Sequence, residues 1–435
     1  MQFNTSGRCL LTSGNILDQF NADPSTIALS EIIWSCHDSD IAMMQIRLRK
    51  LDEKDYRAEF RPDIQAVRAL AVLLVVCYHA NIPGVHGGFL GVDVFFVVSG
   101  FVITNVLLRE RASKGTTSIP GFYARRIRRI LPAATVVLII TVFATYHWLS
   151  FIAGAANADD AKYVAAFVGN FHFASVGTQY FGVSQPPSTL QQFWSLAVEE
   201  QFYLVWPILF LILTLPWKVF SPVTRLVSIL SLVIGISLAW CIVETNQNEV
   251  WAFFSPLTHA WELALGALLA VVSPHLRGRN PRLGLVLASI GAIAVLLATW
   301  FYSSATLWPG TAVIVPVAAT GLIIAGGSLR GPDNFGRFVK FAPVQWLGNI
   351  SYSLYLVHWP VIAIATQYAT SPLPLHSDVE LVTLSVMLSA ALYYAIENPI
   401  RRTTLLANRR LLTFSFGAVL VGLSYAAIYW HLRHY

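Results

Sequence analysis

Eleven apolar runs, each about 20 residues long, set the limits on what this chain can fold into. They fall at about 64–82, 88–108, 131–150, 194–214, 226–243, 255–272, 283–301, 309–326, 346–366, 379–397 and 412–431. A hydrocarbon core about 30 Å thick takes about 20 apolar residues of helix to cross. Within it every backbone amide must bond inside its own segment, so such runs cross as α-helices. Only 12% of the 435 residues are charged, about half the share in a soluble domain. The reading is an all-α, polytopic membrane protein with eleven spans. A twelfth segment, 161–182, is interrupted by Asn170, His172, Ser175 and Gly177. It reads as a short re-entrant or surface helix.

The basic residues set the orientation. With the N-terminus inside and 161–182 not crossing, the inner loops hold Arg109, Arg111, Lys114, Arg125, Arg126, Arg128 and Arg129. The later inner loops add Lys218, Arg225, Arg277, Arg279, Arg282, Arg330, Arg337, Lys340, Arg401, Arg402, Arg409 and Arg410, while the outer side keeps only Lys162 and Arg433. That asymmetry is the positive-inside pattern. It predicts a multi-pass protein of the cytoplasmic membrane, N-terminus in and C-terminus out. Residues 1–55 form a polar tail and 56–435 the membrane domain, its final helix at 412–431. Basic residues scattered between spans, and not on a soluble module, argue against nucleic-acid binding. The four cysteines include no CxxC pair and imply no disulfide framework.

Ionisable groups inside spans are costly and mark function. The first span carries two, Arg68 and His79, about 16 Å apart along a helix. Arg68 falls on the inner side and His79 on the outer. Asp93, Glu199, Glu200, His259, Glu262 and His358 are placed with His79 in the outer layer. The inner side has FYARRIRRILP, with Arg125, Arg126, Arg128 and Arg129 in five residues, near Arg68, Glu397, Arg401 and Arg402. Arginine forks match phosphate oxygens; plain anchoring and contact with anionic membrane lipids is the competing reading. The pattern implies a two-sided cavity for a phosphate-rich cytosolic donor and a polar external acceptor. His79 is the expected general base, with Asp93 or Glu199 orienting its ring. GFLGVDVFFVVSG lies within a span, where its glycines suit close helix packing; its Ser99 lacks a G-x-S-x-G elbow. The histidines show no metal-ligand spacing, so no metal is expected.

These motifs resemble the membrane acyltransferase-3 family of integral-membrane O-acyltransferases over about residues 60–410. RPDIQAVRALAVLLVVCYHA is similar to the family's first helix, with Arg68 and His79 as its Arg-x10-His signature. GGFLGVDVFFVVSGFVIT, FYARRIRRILP, FWSLAVEEQFYLVWP, SPLTHAWELALGALLA, LGNISYSLYLVHWP and YYAIENPIRR match further segments. The resemblance implies acyl-coenzyme A, usually acetyl-CoA, as the cytosolic donor. It implies His79 as the catalytic residue, with Arg68, Arg125, Arg126 and Arg129 toward the donor. Glu200, Glu262, His358 and Tyr352 are the expected substrate or cavity residues. The implied acceptor is a hydroxyl of an envelope saccharide such as exopolysaccharide, lipopolysaccharide or peptidoglycan. Two positions depart from the family pattern: Gln192 stands where His is frequent and His259 where Arg is frequent. Many relatives carry a hydrolase-like domain after the last span. Its absence from this sequence leads to the expectation that activity resides in the membrane domain or draws on a separate extracytoplasmic partner. Acylation of a small secreted molecule such as a macrolide is an alternative. A transporter or flippase is another, disfavoured by the lack of an internal repeat and by charges lying off-centre.

Overall fold

The computed structural model describes residues 60–178, 180–181, 186–216, 220–331, 334–369 and 371–434. The predicted 1–55 tail lies outside them. The described residues form helices and loops with no strand. In chain order the helices are α1 Pro62–His79, α2 Gly91–Lys114, α3 Ile119–Trp148, α4 Phe151–Ala165 and α5 Gly169–Ser175. They continue with α6 Phe193–Leu213, α7 Pro222–Gln247, α8 Glu249–Phe254, α9 Pro256–Leu276, α10 Pro281–Phe301, α11 Ile314–Arg330 and α12 Ala342–Ala369. The chain then forms α13 Leu375–Leu392, a π-turn at Tyr393–Glu397, α14 Asn398–Arg402, α15 Thr404–Asn408 and α16 Arg410–His434.

Local sequence explains many helix starts. Ser221–Pro222, Ser255–Pro256 and Asn280–Pro281 each place a capping side chain before a proline at the first helical position. The caps accept from the amides of Thr224, Leu257 and Leu283 at 3.1, 3.2 and 3.0 Å. The side chain fills an orphan donor, and proline sits where no amide is needed. α2 ends at Gly115, which takes the left-handed conformation at φ 70°.

A helix lies at each of the eleven predicted spans, and nine described helical segments are long and apolar enough to cross a membrane. Two predicted spans fall outside the nine. α11 has 17 residues, because Pro309 and Gly310 form a turn ahead of it. α12 has 28 residues but carries Asn349, Ser351, Ser353 and His358. The segment 161–182 is two pieces. α4 starts ten residues earlier than expected, and the break before α5 holds Phe167 at φ 56°. At 15 and 7 residues they reach about 22 and 10 Å, too short to cross.

The glycines of the second span act as expected, in helix packing. A Cβ on Gly100 would strike the Leu263 carbonyl oxygen, and one on Gly266 the Val97 carbonyl. α2 and α9 therefore approach backbone to backbone. Gly348 does the same for α12, against the Gln65 carbonyl of α1. Large apolar side chains such as Ile140, Leu204, Ile236, Leu297 and Trp300 point outward, as a lipid-facing surface requires.

Candidate active site

Among the described residues, the predicted site residues fall into three polar assemblies in the interior, where the sequence predicted two layers. The first is a pocket of about 330 Å³ between α1, α2, α3, α6, α9, α11 and α12. Arg61, Arg109 and Arg277 stand on its wall at helix ends that the charge pattern assigns to the cytosol. Arg68, Arg126 and Arg129 line it deeper, with Glu199, Glu200, Tyr203 and Tyr352. Arg68 donates to Gln65 Oε1 at 2.8 Å, and Gln65 donates to Asn349 Oδ1 at 2.6 Å. The Arg126 guanidinium lies 5.5 Å from both the Phe122 and Tyr203 ring centroids, and its buried Nε has no hydrogen-bond partner among the described residues. Tyr352 donates to the Ile130 carbonyl at 2.9 Å. The far end of the pocket is formed by Phe95, Ser195 and Tyr355. Ser195 Oγ and Tyr355 Oη are 2.5 Å apart there, and Tyr355 donates to the Gln192 carbonyl at 3.1 Å.

Several expectations change here. Glu199 and Glu200 belong to the arginine pocket and not to the outer layer with His79. Leu190, Gln191 and Gln192, just ahead of α6, are buried. The helix thus starts inside the protein, and its first turns face the arginine pocket. Glu199 accepts from Ser99 at 2.8 Å and faces the charges of Arg129 and Arg68. Arg125 does not line the pocket. It is paired with Glu110 at 2.7 Å, leaving Arg126 and Arg129 to supply the inner charge.

The second assembly surrounds His79. Its ring is bound not to a carboxylate but to His358 and Tyr180. His79 Nδ1 lies 3.0 Å from His358 Nε2, and His79 Nε2 lies 2.8 Å from Tyr180 Oη. His358 Nδ1 sits 3.0 Å from the Leu354 carbonyl, which only accepts. With a neutral His358, its Nδ1 carries the proton and its Nε2 accepts. His79 Nδ1 must then donate, which leaves its Nε2 lone pair for the Tyr180 hydroxyl. The His358 ring stacks on His79 at 5.2 Å, and Trp359 closes the other side at 4.5 Å. His79 and His358 lie beyond the Ser195–Tyr355 end of the pocket and do not line it.

The third assembly holds Asp93, His259 and Glu262, which are 2%, 1% and 0% exposed. His259 Nδ1 is 2.8 Å from Glu262 Oε1 and 3.9 Å from Asp93 Oδ1. Asp93 is thus not the partner of His79, and Glu262 does not line the pocket. Sequence spacing missed this set as possible metal ligands because α2 and α9 are distant in the chain. Tyr180 was missed outright, since nothing marks a loop tyrosine as a histidine's partner. Ser195 and Tyr355 lay within noted motifs, but their contact joins two helices.

A helical bundle with membrane-length helices, an arginine-lined pocket and a buried histidine pair beyond it defines a class of multi-pass membrane protein with a polar interior. The sequence pattern of one family, described as an acyltransferase domain, matches residues 61–427. The chain belongs to that acyltransferase family. It is similar to the peptidoglycan O-acetyltransferase OatA of Listeria monocytogenes, 31% identical over 363 residues, covering 80% of this chain and 57% of that protein. It is also similar to the O-acetyltransferase OatA of Staphylococcus aureus, 28% identical over 361 residues, covering 80% of this chain and 58% of that protein. The chain thus spans a little over half the length of these relatives. No solved structure matches it.

Proposed function

We propose that this domain transfers an acyl group, acetyl in the first instance, from cytosolic acyl-CoA to a hydroxyl of an extracytoplasmic glycan, with His79 Nε2 as the general base. The observation that carries the reading is the hydroxyl at 2.8 Å from that nitrogen. Tyr180 holds the place from which an acceptor hydroxyl would donate, and 2.6–3.2 Å is the reach a general base needs. The acceptor displaces Tyr180, its oxygen attacks the thioester carbonyl carbon, and its proton passes to Nε2. The carbon–sulfur bond breaks and the coenzyme thiolate recovers that proton from His79. His358 Nε2 holds Nδ1–H throughout, so the ring keeps one tautomer and one orientation.

The donor end fits a phosphate-bearing substrate on its own residues. Arg126 has a buried Nε unpartnered among the described residues, and Arg68 and Arg129 stand beside it. Arginine delivers planar, charge-assisted bonds to phosphate. From Arg68 to His79 is about 16 Å along α1, a span suited to a donor with a long flexible arm. The relative from Listeria is named a peptidoglycan O-acetyltransferase, which makes peptidoglycan the first glycan to assay.

The test is expression of the wild type and His79→Ala in cells lacking the protein, with ester-linked acyl groups measured on purified envelope glycans. Full acylation by a folded His79→Ala protein would remove His79 from the mechanism. Substrate efflux that follows expression, with no change in any glycan ester, would point to transport.

A further inference from the structure

We propose that Asp93, His259 and Glu262 form a divalent transition-metal site, of zinc or manganese character, that clamps α2 to α9. His259 Nε2 lies 2.9 Å from the Phe253 carbonyl. A carbonyl only accepts, so Nε2 carries a proton and a neutral ring turns a bare lone pair at Nδ1 toward the carboxylates. That lone pair meets Glu262 Oε1 at 2.8 Å and Asp93 Oδ1 at 3.9 Å. Asp93 and Glu262 are also within side-chain hydrogen-bond reach of each other, so the cluster must hold either shared protons or a cation. Glu262 Oε2 is buried and receives no N–H or O–H donor among the described residues.

The candidate ligand atoms lie within 4.8 Å of one another; the 2.8 Å between His259 Nδ1 and Glu262 Oε1 is a hydrogen-bond separation, which opens to about 3 Å or more when both atoms bind one ion at about 2.0–2.2 Å. A ring nitrogen whose other N–H is fixed on a backbone carbonyl is the orientation metal-bound histidines take. His259 and Glu262 are i,i+3 neighbours on α9, and Asp93 faces them from α2. Gly100 and Gly266 hold those two helices at backbone contact, so the ligands sit on rigid elements. A neutral imidazole with two carboxylates carries charge −2, which one divalent ion cancels where uncompensated charge is among the costliest arrangements. Mixed imidazole and carboxylate ligands suit zinc or manganese. Phe96 and Trp194 wall the cluster, with ring centroids 5.1 and 5.5 Å from His259. The inference stands apart from the acyl-transfer reading.

The test uses the full chain in detergent, loaded with zinc or manganese in separate dialyses, washed in metal-free buffer and analysed by mass spectrometry for metals. The expected result is about one ion per chain for the wild type. Asp93→Asn and Glu262→Gln, which keep side-chain volume, should both lose it. A strong chelator should lower the thermal midpoint of the wild type and leave that of Glu262→Gln unmoved. A wild type that holds no more metal than the variants, with a midpoint indifferent to chelator, overturns the proposal and leaves protons as the bridging charge. Equal metal on wild type and variants overturns it as well, by placing the ion elsewhere. If neither variant folds, the wild-type metal content and chelator shift decide the matter.

Discussion

Replacing His358 by leucine tests the histidine pair most directly. Leucine keeps bulk but offers no acceptor, so the His79 Nδ1–H loses its partner at 3.0 Å. A buried donor left unsatisfied costs about 1–3 kcal/mol. The ring escapes by moving its proton to Nε2, which removes the lone pair that must take the acceptor's proton. At 1.4 kcal/mol per decade, the productive tautomer falls by about 5- to 150-fold. His79→Ala removes the base altogether and should cost about 10²–10⁴-fold. The pair act as a unit, so the double variant should be no slower than His79→Ala alone. The assay is acyl transfer to a glycan acceptor by the purified protein in proteoliposomes, with acetyl-CoA outside on the face bearing the arginine pocket. The KM for the donor should stay within a factor of about two, because His358 does not line that pocket. His358→Leu at wild-type rate, or a double variant that multiplies the two losses, would refute the relay.

Arg126→Ala with Arg129→Ala should weaken acyl-CoA binding, measured by calorimetry in detergent, by about tenfold or more per lost charge-assisted bond. Arg125→Ala should leave donor binding unchanged, since its partner is Glu110, and should cost at most about 1 kcal/mol of stability. Tyr180→Phe should keep kcat within about threefold and lower the KM for the acceptor, because the phenol competes for His79 Nε2; a large loss of kcat would give Tyr180 a chemical role. Gly266→Val forces a side chain against the Val97 carbonyl and should destabilise by about 1–3 kcal/mol, read as a lower thermal midpoint.

Legibility followed the range of the interaction. Spans were readable because apolar length is a local property, and helix starts because Ser–Pro and Asn–Pro pairs cap within three residues. Arg68, Arg126 and Arg129 were grouped on one side by the charge asymmetry, and they line one pocket. Depth did not report partners. Asp93 and His79 were placed at one level, yet they point into different assemblies, Asp93 toward His259 of α9 and His79 toward His358 of α12. Glu199 was misplaced for a related reason. Its helix begins after a buried turn, and no residue count reveals which assembly its first turns face.

α12 orders the site along its axis. Tyr352 lies at the arginine pocket, Tyr355 closes that pocket with Ser195, and His358 holds His79. Each step of three residues advances about 4.5 Å. On the proposed reading, the Ser195–Tyr355 contact stands between the donor's thioester and His79. A closed site guards a reactive acyl group against water, and this contact is the point at which such a guard would act. Ser195→Ala with Tyr355→Phe removes both hydroxyls and keeps the remaining bulk. If the contact is the partition, these substitutions should raise the release of free coenzyme A in the absence of acceptor, measured by thiol reagent. Glycan acylation per coenzyme A consumed should fall. Unchanged release without acceptor would show that the barrier lies elsewhere, with Phe95, whose ring packs 6.1 Å from that of Tyr355, as the residue to test in its place.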